Sequence, residues 1–243
     1  MKLLVLGANS DIGSAIAGAF AKFEQADLIL ASRDMESLEK KAKDIEIRHS
    51  VKTKIIQFDA TNFSTHQDFY NNLSPKPDGV VVAFGYLGDQ KNAEQSFDDA
   101  KRTLDTNFTG AMSILEIIAQ DFETRNKGFI IGLSSVAGER GRQSNYIYGA
   151  AKGAFTIYLS GLRNRLHKND VRVITVLPGF VQTKMTAALD LPEKLVATPE
   201  EVADDVYSAF KKKKDIVYSK WFWRWIMLII KAIPEIIFKK LNL

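Results

Sequence analysis

Largely apolar runs of four to seven residues recur along the chain, at Lys2–Leu6, Asp27–Ala31, Lys54–Phe58, Gly79–Ala83, Gly128–Ser134, Val171–Val176 and Asp215–Tyr218. Near-continuous apolarity at this length suits strands of a parallel sheet buried on both faces. Stretches with helical spacing lie between them, roughly Ile12–Phe23, Met35–Ile47, Asp98–Phe122 and Ser144–Leu166. A further helix starts at Thr198-Pro-Glu-Glu201, a capping-box pattern. Asn107 and Gly110 interrupt the long third helix at a cost in helix stability, so an irregularity with a functional reason is expected there. No repeat or low-complexity linker divides the chain. The alternation predicts an α/β fold, a single Rossmann-type doubly wound parallel sheet of about seven strands with helices on both faces. That domain spans residues 1–218 and leaves 219–243 as an amphipathic tail.

The tail reads as a helix beginning KWFWRWIMLIIKAI, with Ser219 as its expected cap. At helical spacing Lys220, Arg224, Lys231, Glu235 and Lys239 form one narrow stripe among apolar residues. Pro234 should kink the segment or open a second short helix. The segment is too short and too charged to span a bilayer, which needs ~20 apolar residues. Two readings stand. One is a helix pair packed on the body or at a dimer interface. The other, favoured by Trp221, Trp223 and Trp225 beside basic residues, is attachment to a membrane surface.

Charge sharpens this reading. The net charge is +4 over 243 residues, but residues 211–243 carry about +7 and the rest about −3. A basic aromatic tail on a mildly acidic body points to a lipid surface, and no basic stripe suggests nucleic acid. There are no cysteines, which excludes disulfides and thiol catalysis, and the three histidines lack ligand spacing, so no metal site is expected. Met1 leads almost directly into KLLVLG with no secretory leader pattern. The expected location is cytoplasmic, peripheral on the inner face of the cell membrane.

The richest chemistry lies in Gly132–Lys152, GLSSVAGERGRQSNYIYGAAK. Tyr148 and Lys152 are one helical turn apart and share a face. A phenol has a pKa near ~10, which a neighbouring ammonium lowers, turning it into a general acid/base. Ser135, at the end of the preceding strand, is placed to hydrogen-bond a carbonyl or alcohol oxygen. At the N-terminus, the turn Gly7-Ala-Asn9-Ser10-Asp-Ile12-Gly13 joins the first strand to the first helix, where a dinucleotide pyrophosphate would sit. Asp11 stands in that turn where many such loops have a glycine, and should point to solvent or cap the helix. Ser32 and Arg33 at the end of the second strand suit a 2′-phosphate, which favours NADP(H) over NAD(H). Asp59-Ala60 is placed to meet the adenine, unless Asp59 merely caps a helix near Asn62, and Phe84-Gly85 turns close to the cofactor.

Gly7…Gly13, Asn107, Ser135, Tyr148-x-x-x-Lys152 and Pro178-Gly179…Thr183 together resemble the short-chain dehydrogenase/reductase family over residues 2 to about 218. The resemblance implies an NAD(P)-dependent oxidoreductase acting on C=O or CH–OH. Tyr148 would be its acid/base, and Ser135 would orient the substrate oxygen. Lys152 would tune the phenol and hold the nicotinamide ribose, while Asn107 would position a water in the proton relay. Pro178, Gly179, Val181 and Thr183 would contact the cofactor. Homo-oligomers through the long helices are also implied. Two departures from the family pattern are Asp11 and the run Ala83-Phe84-Gly85.

A narrower resemblance rests on Val82–Asp89, Ser134–Arg142 and Trp225–Leu241. These stretches are similar to the branch of the family that reduces a polyprenylphosphoryl-2-ketopentose to its arabinose-type alcohol for a cell-wall glycan, with a flavin-dependent oxidase as partner. Arg140 and Arg142 are then candidates to grip the substrate phosphate; surface pairing with Glu139 is the plainer reading. A reductase of another membrane-lipid carbonyl is the enzymatic alternative. A cofactor-binding scaffold for a membrane partner is the alternative of a different class.

Overall fold

The computed structural model describes residues 1–187 and 189–241, so Asn242 and Leu243 of the tail lie outside the described residues. The strands are β1 (Lys2–Leu6), β2 (Asp27–Ser32), β3 (Thr53–Gln57), β4 (Gly79–Val82), β5 (Gly128–Leu133), β6 (Val171–Pro178), the two-residue β7 (Phe180–Val181) and β8 (Val196–Ala197), and β9 (Ile216–Ser219). Seven of them form one parallel sheet in the order β3-β2-β1-β4-β5-β6-β9, and β7 pairs with β8 apart from it. The chain starts in the middle, winds out to β3, returns beside β1 as β4 and winds the other way. Neighbouring connections therefore diverge at the carboxyl ends of β1 and β4, which opens a crevice there.

The helices are α1 (Asp11–Glu24), α2 (Met35–His49), α3 (His66–Asn71), α4 (Gln90–Gln95), α5 (Phe97–Leu104), α6 (Gly110–Arg125), α7 (Tyr146–Leu166), α8 (Pro199–Lys211), α9 (Trp223–Ala232) and α10 (Glu235–Phe238). Strand side chains alternate between the two faces. Leu3 and Val5 pack against Ile16 and Phe20 of α1 and Val202 and Val206 of α8. Leu4 and Leu6 pack against Ile114 and Ile118 of α6 and Phe155 and Leu159 of α7. Each fully buried Leu, Ile or Phe contributes ~1.5–3 kcal/mol, so both faces of the sheet are firmly covered and the site can rest on a rigid rim.

The expected capping box is present: Thr198 Oγ1 accepts from Glu201 N at 3.1 Å, and Glu201 Oε2 accepts from Thr198 N at 2.9 Å. The expected interruption near Asn107 is a π-helical turn, Asp105–Thr109, between α5 and α6. The short helix α4 follows the Phe84-Gly85 turn, and its Gln90 Oε1 accepts from the Ile147 backbone N at the start of α7. One expectation needs correction. Ser219 does not cap the tail helix. It ends β9, its carbonyl accepts from Gly179 N at 2.9 Å, and its hydroxyl donates to Asp205 Oδ2 of α8 at 2.5 Å. Strand pairing keeps the backbone extended at Ser219, and α9 begins only at Trp223. Pro234 separates α9 from α10, as its ring requires.

Candidate active site

A cleft of about 370 Å³ runs across the carboxyl ends of the central strands. At one end, β5 leads into Ser135, whose hydroxyl accepts from Ala137 N at 3.1 Å and so starts a short 3₁₀ turn, Val136–Gly138. The neighbouring Ser134 hydroxyl donates to the Lys152 carbonyl at 2.9 Å and lies 2.6 Å from Thr156 Oγ1. This pins α7 to the end of β5 and sets Tyr148 and Lys152 against Ser135. All three line the cleft.

Burial decides the ionisation of this group. Lys152 is 4% exposed, and its ammonium donates to the Leu133 carbonyl at 2.9 Å. Its desolvation pushes the pKa down to about 8 from an ordinary 10.5. The half-buried Tyr148 phenol is pushed up to about 12, again by desolvation, with a hydrogen bond to Ser135 acting in the opposite direction. The sequence suggests a phenol lowered by Lys152. With the chain's own groups around it, burial outweighs that effect, since the Lys152 nitrogen stands 5.8 Å from the Tyr148 ring centre and is held by a carbonyl. Tyr148 is thus a protonated donor at neutral pH.

Asn107 lies in the π-turn and is 2% exposed. Its Nδ2 donates to the carbonyls of Tyr86 at 2.6 Å and Thr103 at 2.8 Å, and its Oδ1 accepts from Tyr86 N at 3.2 Å. Both amide hydrogens are therefore spent on the backbone, and the side chain braces the loop after β4 that carries Gly85. The π-turn supplies the displacement that aims an inward side chain at a neighbouring loop.

The other end fits a dinucleotide. Gly7, Asn9, Ser10 and Ile12 line the cleft where β1 meets α1. Gly7 has φ +85°, and a Cβ there would lie 2.4 Å from Phe84 N, so only glycine is accommodated. Ser10 caps α1 by accepting from Gly13 N at 3.0 Å. Asp11 and Ile12, which open α1, line the cleft, and an anion is favoured at such a helix N-terminus. Asn9 Oδ1 is buried without a partner, the kind of orphaned acceptor that a nucleotide donor would satisfy. Ser32, Arg33, Asp59 and Ala60 line the far end. Asp34 caps α2 by accepting from Ser37 N, and Arg33 makes no ion pair among the described residues, leaving a cation and a hydroxyl for a phosphate. Burial acts to raise the Asp59 pKa, but the bonds its Oδ1 accepts from the N and Oγ1 of Thr61, with Arg33 and His66 nearby, together hold it below the ordinary value. Pro178, Gly179, Val181 and Thr183 form the wall at the catalytic end.

Asp11 neither caps α1 nor stands free. Its Oδ2 accepts from Lys184 N at 2.8 Å, tying the loop after β7 to the first turn of α1. This bond across 173 residues carries no local sequence signal. Neither do Phe58, Thr106 and Met185, which also line the cleft. Gly13 does not line the cleft; a Cβ there would lie 2.7 Å from Gly7 O and from Ser10 Oγ, so glycine lets the turn and its cap close. Arg140 and Arg142 do not line the cleft. The Arg140 guanidinium is taken up by the tail: it donates to the carbonyls of Ile230, Lys231 and Ile233 and to Glu235. Arg142 Nη2 meets Met227 Sδ at 3.3 Å, and its buried Nε has no partner. Among the described residues no group of three or more histidine or carboxylate side chains could hold a metal, and no helix is long and apolar enough to cross a membrane.

A sequence profile described as short chain dehydrogenase matches residues 2–194. An uncharacterized oxidoreductase of Mycobacterium tuberculosis is 31% identical over 242 residues, covering 98% of this chain and 96% of the relative. An NADP-dependent 3-hydroxy acid dehydrogenase of Schizosaccharomyces pombe is 26% identical over 89% of each chain. Among solved structures, a short-chain dehydrogenase of Sphingobium yanoikuyae in complex with NADPH superposes with a TM-score of 0.81, covering 96% of each chain at 22% identity, a likeness of fold. The profile spans most of the length, and nearly a third of the residues match a relative end to end, so the chain belongs to the short-chain dehydrogenase/reductase family of oxidoreductases.

Proposed function

We propose that the protein is an NADPH-dependent reductase of a ketone on a lipid-linked substrate, a polyprenylphosphoryl-2-ketopentose reduced to its arabinose-type alcohol, working at the cytoplasmic face of a membrane. The observation that carries the chemistry is the convergence of Ser135, Tyr148 and Lys152 at one end of a cleft whose other end presents Ser32 and Arg33. NADPH, when bound, supplies the hydride to the carbonyl carbon. Asn9, Ser10 and the first turn of α1 would hold its pyrophosphate, and Ser32 with Arg33 its 2′-phosphate. Lys152, withdrawn from water, would hold the nicotinamide ribose. Tyr148 donates its proton to the substrate oxygen as charge develops there, and Ser135 hydrogen-bonds the same oxygen. A phenol that stays protonated at neutral pH suits the reductive direction.

The substrate class rests on the resemblance of the stretches around Asp89, Arg142 and the tail, and on the chemistry of Arg142. Among the described residues Arg142 has no carboxylate partner, so its guanidinium charge is left for a phosphate that reaches beyond the cleft lining. Arg140 is spent on the tail, so the phosphate role narrows to Arg142. Arg142→Ala should raise the KM for a phosphate-bearing ketone and leave that for a phosphate-free one unchanged; equal values for both substrates in wild type and variant would remove Arg142 from the site. A flavin-dependent oxidase would supply the ketone, and subunits would pair through the long helices. A second reading, reduction of another lipid carbonyl, draws on the 3-hydroxy acid activity named for the fission-yeast relative. Turnover of a long-chain keto acid in preference to the ketopentose would select it.

A further inference from the structure

Helix α9 is apolar on two faces, and the body takes only one. Trp223, Met227, Ile226 and Ile230 pack with Val136 and Leu177. Trp223 is 3% exposed and lies against Gly179, where a Cβ would stand 1.9 Å from its ring. Trp225, Leu228 and Ile229 fall on the opposite side, within an arc of about 100° at helical spacing, and Trp221 lies in the turn just before the helix. They are open to solvent, Trp221 at 72% and Ile229 at 66%, and Ile236 and Ile237 of α10 are exposed as well. Arg224, Lys231, Lys239 and Lys240 of the same tail are exposed too.

The inner face is held by the segment that follows the catalytic serine. Glu139 Oε1 accepts from Tyr218 OH at 2.9 Å and from Lys231 Nζ at 2.5 Å. Arg140 collects three carbonyls at the C-terminal end of α9 at 2.5–3.1 Å, bonds Glu235 at 3.0 Å and lies 3.6 Å over the Phe238 ring. Cations are favoured at that helix end. The same segment starts at Ser135 and buries Val136 under Trp223. One short stretch of chain thus fixes both the serine and the tail.

We propose that α9 and α10 form a two-faced wall, the outer face bedded in an anionic lipid surface and the inner face, through Arg140, holding the Ser135 turn in place, so that membrane contact and serine positioning are coupled. This deepens the membrane-surface reading of the proposed function and rests on it for the outer face. The occupant is an anionic bilayer because Arg224, Lys239 and Lys240 are exposed beside the outer apolar residues with no ion pair among the described residues, and residues 219–243 carry about +4. A second copy across a two-fold axis would set those cations against each other. Arg140 is a positioning residue in this arrangement.

The test uses the full chain with vesicles of phosphatidylcholine, with and without phosphatidylglycerol. Wild type should pellet with the anionic vesicles, and Trp221→Gln/Trp225→Gln should weaken that partition by about tenfold or more. Arg140→Gln should still pellet. In wild type, anionic vesicles should slow amide exchange over residues 134–140 by about tenfold; in Arg140→Gln the same amides should exchange faster and no longer respond to vesicles. Arg140→Lys, which cannot span four acceptors, should behave like Arg140→Gln. Failure to pellet, or pelleting untouched by the tryptophan pair, overturns the outer face, as does a concentration-dependent dimer abolished by that pair. Identical exchange in wild type and Arg140→Gln overturns the coupling. None of these readouts needs turnover, so their failure is distinct from failure of the reductase reading.

Discussion

Replacing Asn107 by alanine tests whether the π-turn braces the cofactor loop. The side chain is buried and makes three hydrogen bonds, two donated to carbonyls and one accepted from Tyr86 N. At about 0.5–1.5 kcal/mol net for each, their loss costs about 2–4 kcal/mol. For a domain of this size, 1 kcal/mol moves Tm by roughly 2–4 °C, so a fall of about 5–15 °C is expected by calorimetry. The freed Gly85–Tyr86 loop should also weaken NADPH binding, measured by fluorescence titration. Asn107→Asp keeps the volume but turns a carboxylate oxygen toward the two carbonyls, and should be destabilised at least as much at neutral pH. A Tm within about 2 °C of wild type in both variants, with NADPH affinity unchanged, would refute the brace.

Lys152→Met should abolish reduction yet raise Tm without nucleotide, because holding the ammonium at a pKa of about 8 against 10.5 costs ~3 kcal/mol at neutral pH. The sign follows from proton uptake: between pH 8 and 10.5 the unfolded chain binds more protons, so wild-type stability should rise with pH in that window relative to the variant. A variant that melts lower, with no such difference, would contradict this. Arg33→Ala should cut the preference for NADPH over NADH by about 10- to 100-fold, as expected for a lost charge-assisted hydrogen bond; an unchanged ratio of kcat/KM values would remove Arg33 from the phosphate site. Gly179→Ala should drive Trp223 out of its seat, lowering Tm and red-shifting its fluorescence; an unaltered spectrum would show that the wall yields elsewhere.

The sheet was legible because buried parallel strands announce themselves as short apolar runs, and the site because glycine turns and the Tyr148–Lys152 spacing are local. The Asn107 irregularity could be read from helix propensity, but its brace on Tyr86 could not, since the partners are 21 residues apart. The tie from Asp11 to Lys184 is likewise long-range and involves a backbone group, which leaves no signature in residue type. Arg140 and Arg142 read as a surface pair beside Glu139. Only packing of the tail shows that Arg140 serves the carbonyls at the end of α9, about ninety residues on. The tail's membrane and packing readings both rested on apolar residues around a basic stripe, and the structure divides those residues between an inner and an outer face.

The central claim is that Tyr148 protonates a ketone reduced at this cleft. The most direct measurement is NADPH oxidation in detergent micelles with a polyprenylphosphoryl-2-ketopentose, wild type beside Tyr148→Phe. The account predicts rapid consumption by wild type and a loss of about 100-fold or more in the variant, which still binds NADPH. Near-normal turnover by Tyr148→Phe would contradict the chemistry. No consumption by wild type with NADPH bound would contradict the substrate and move the search to other lipid ketones or to the scaffold role.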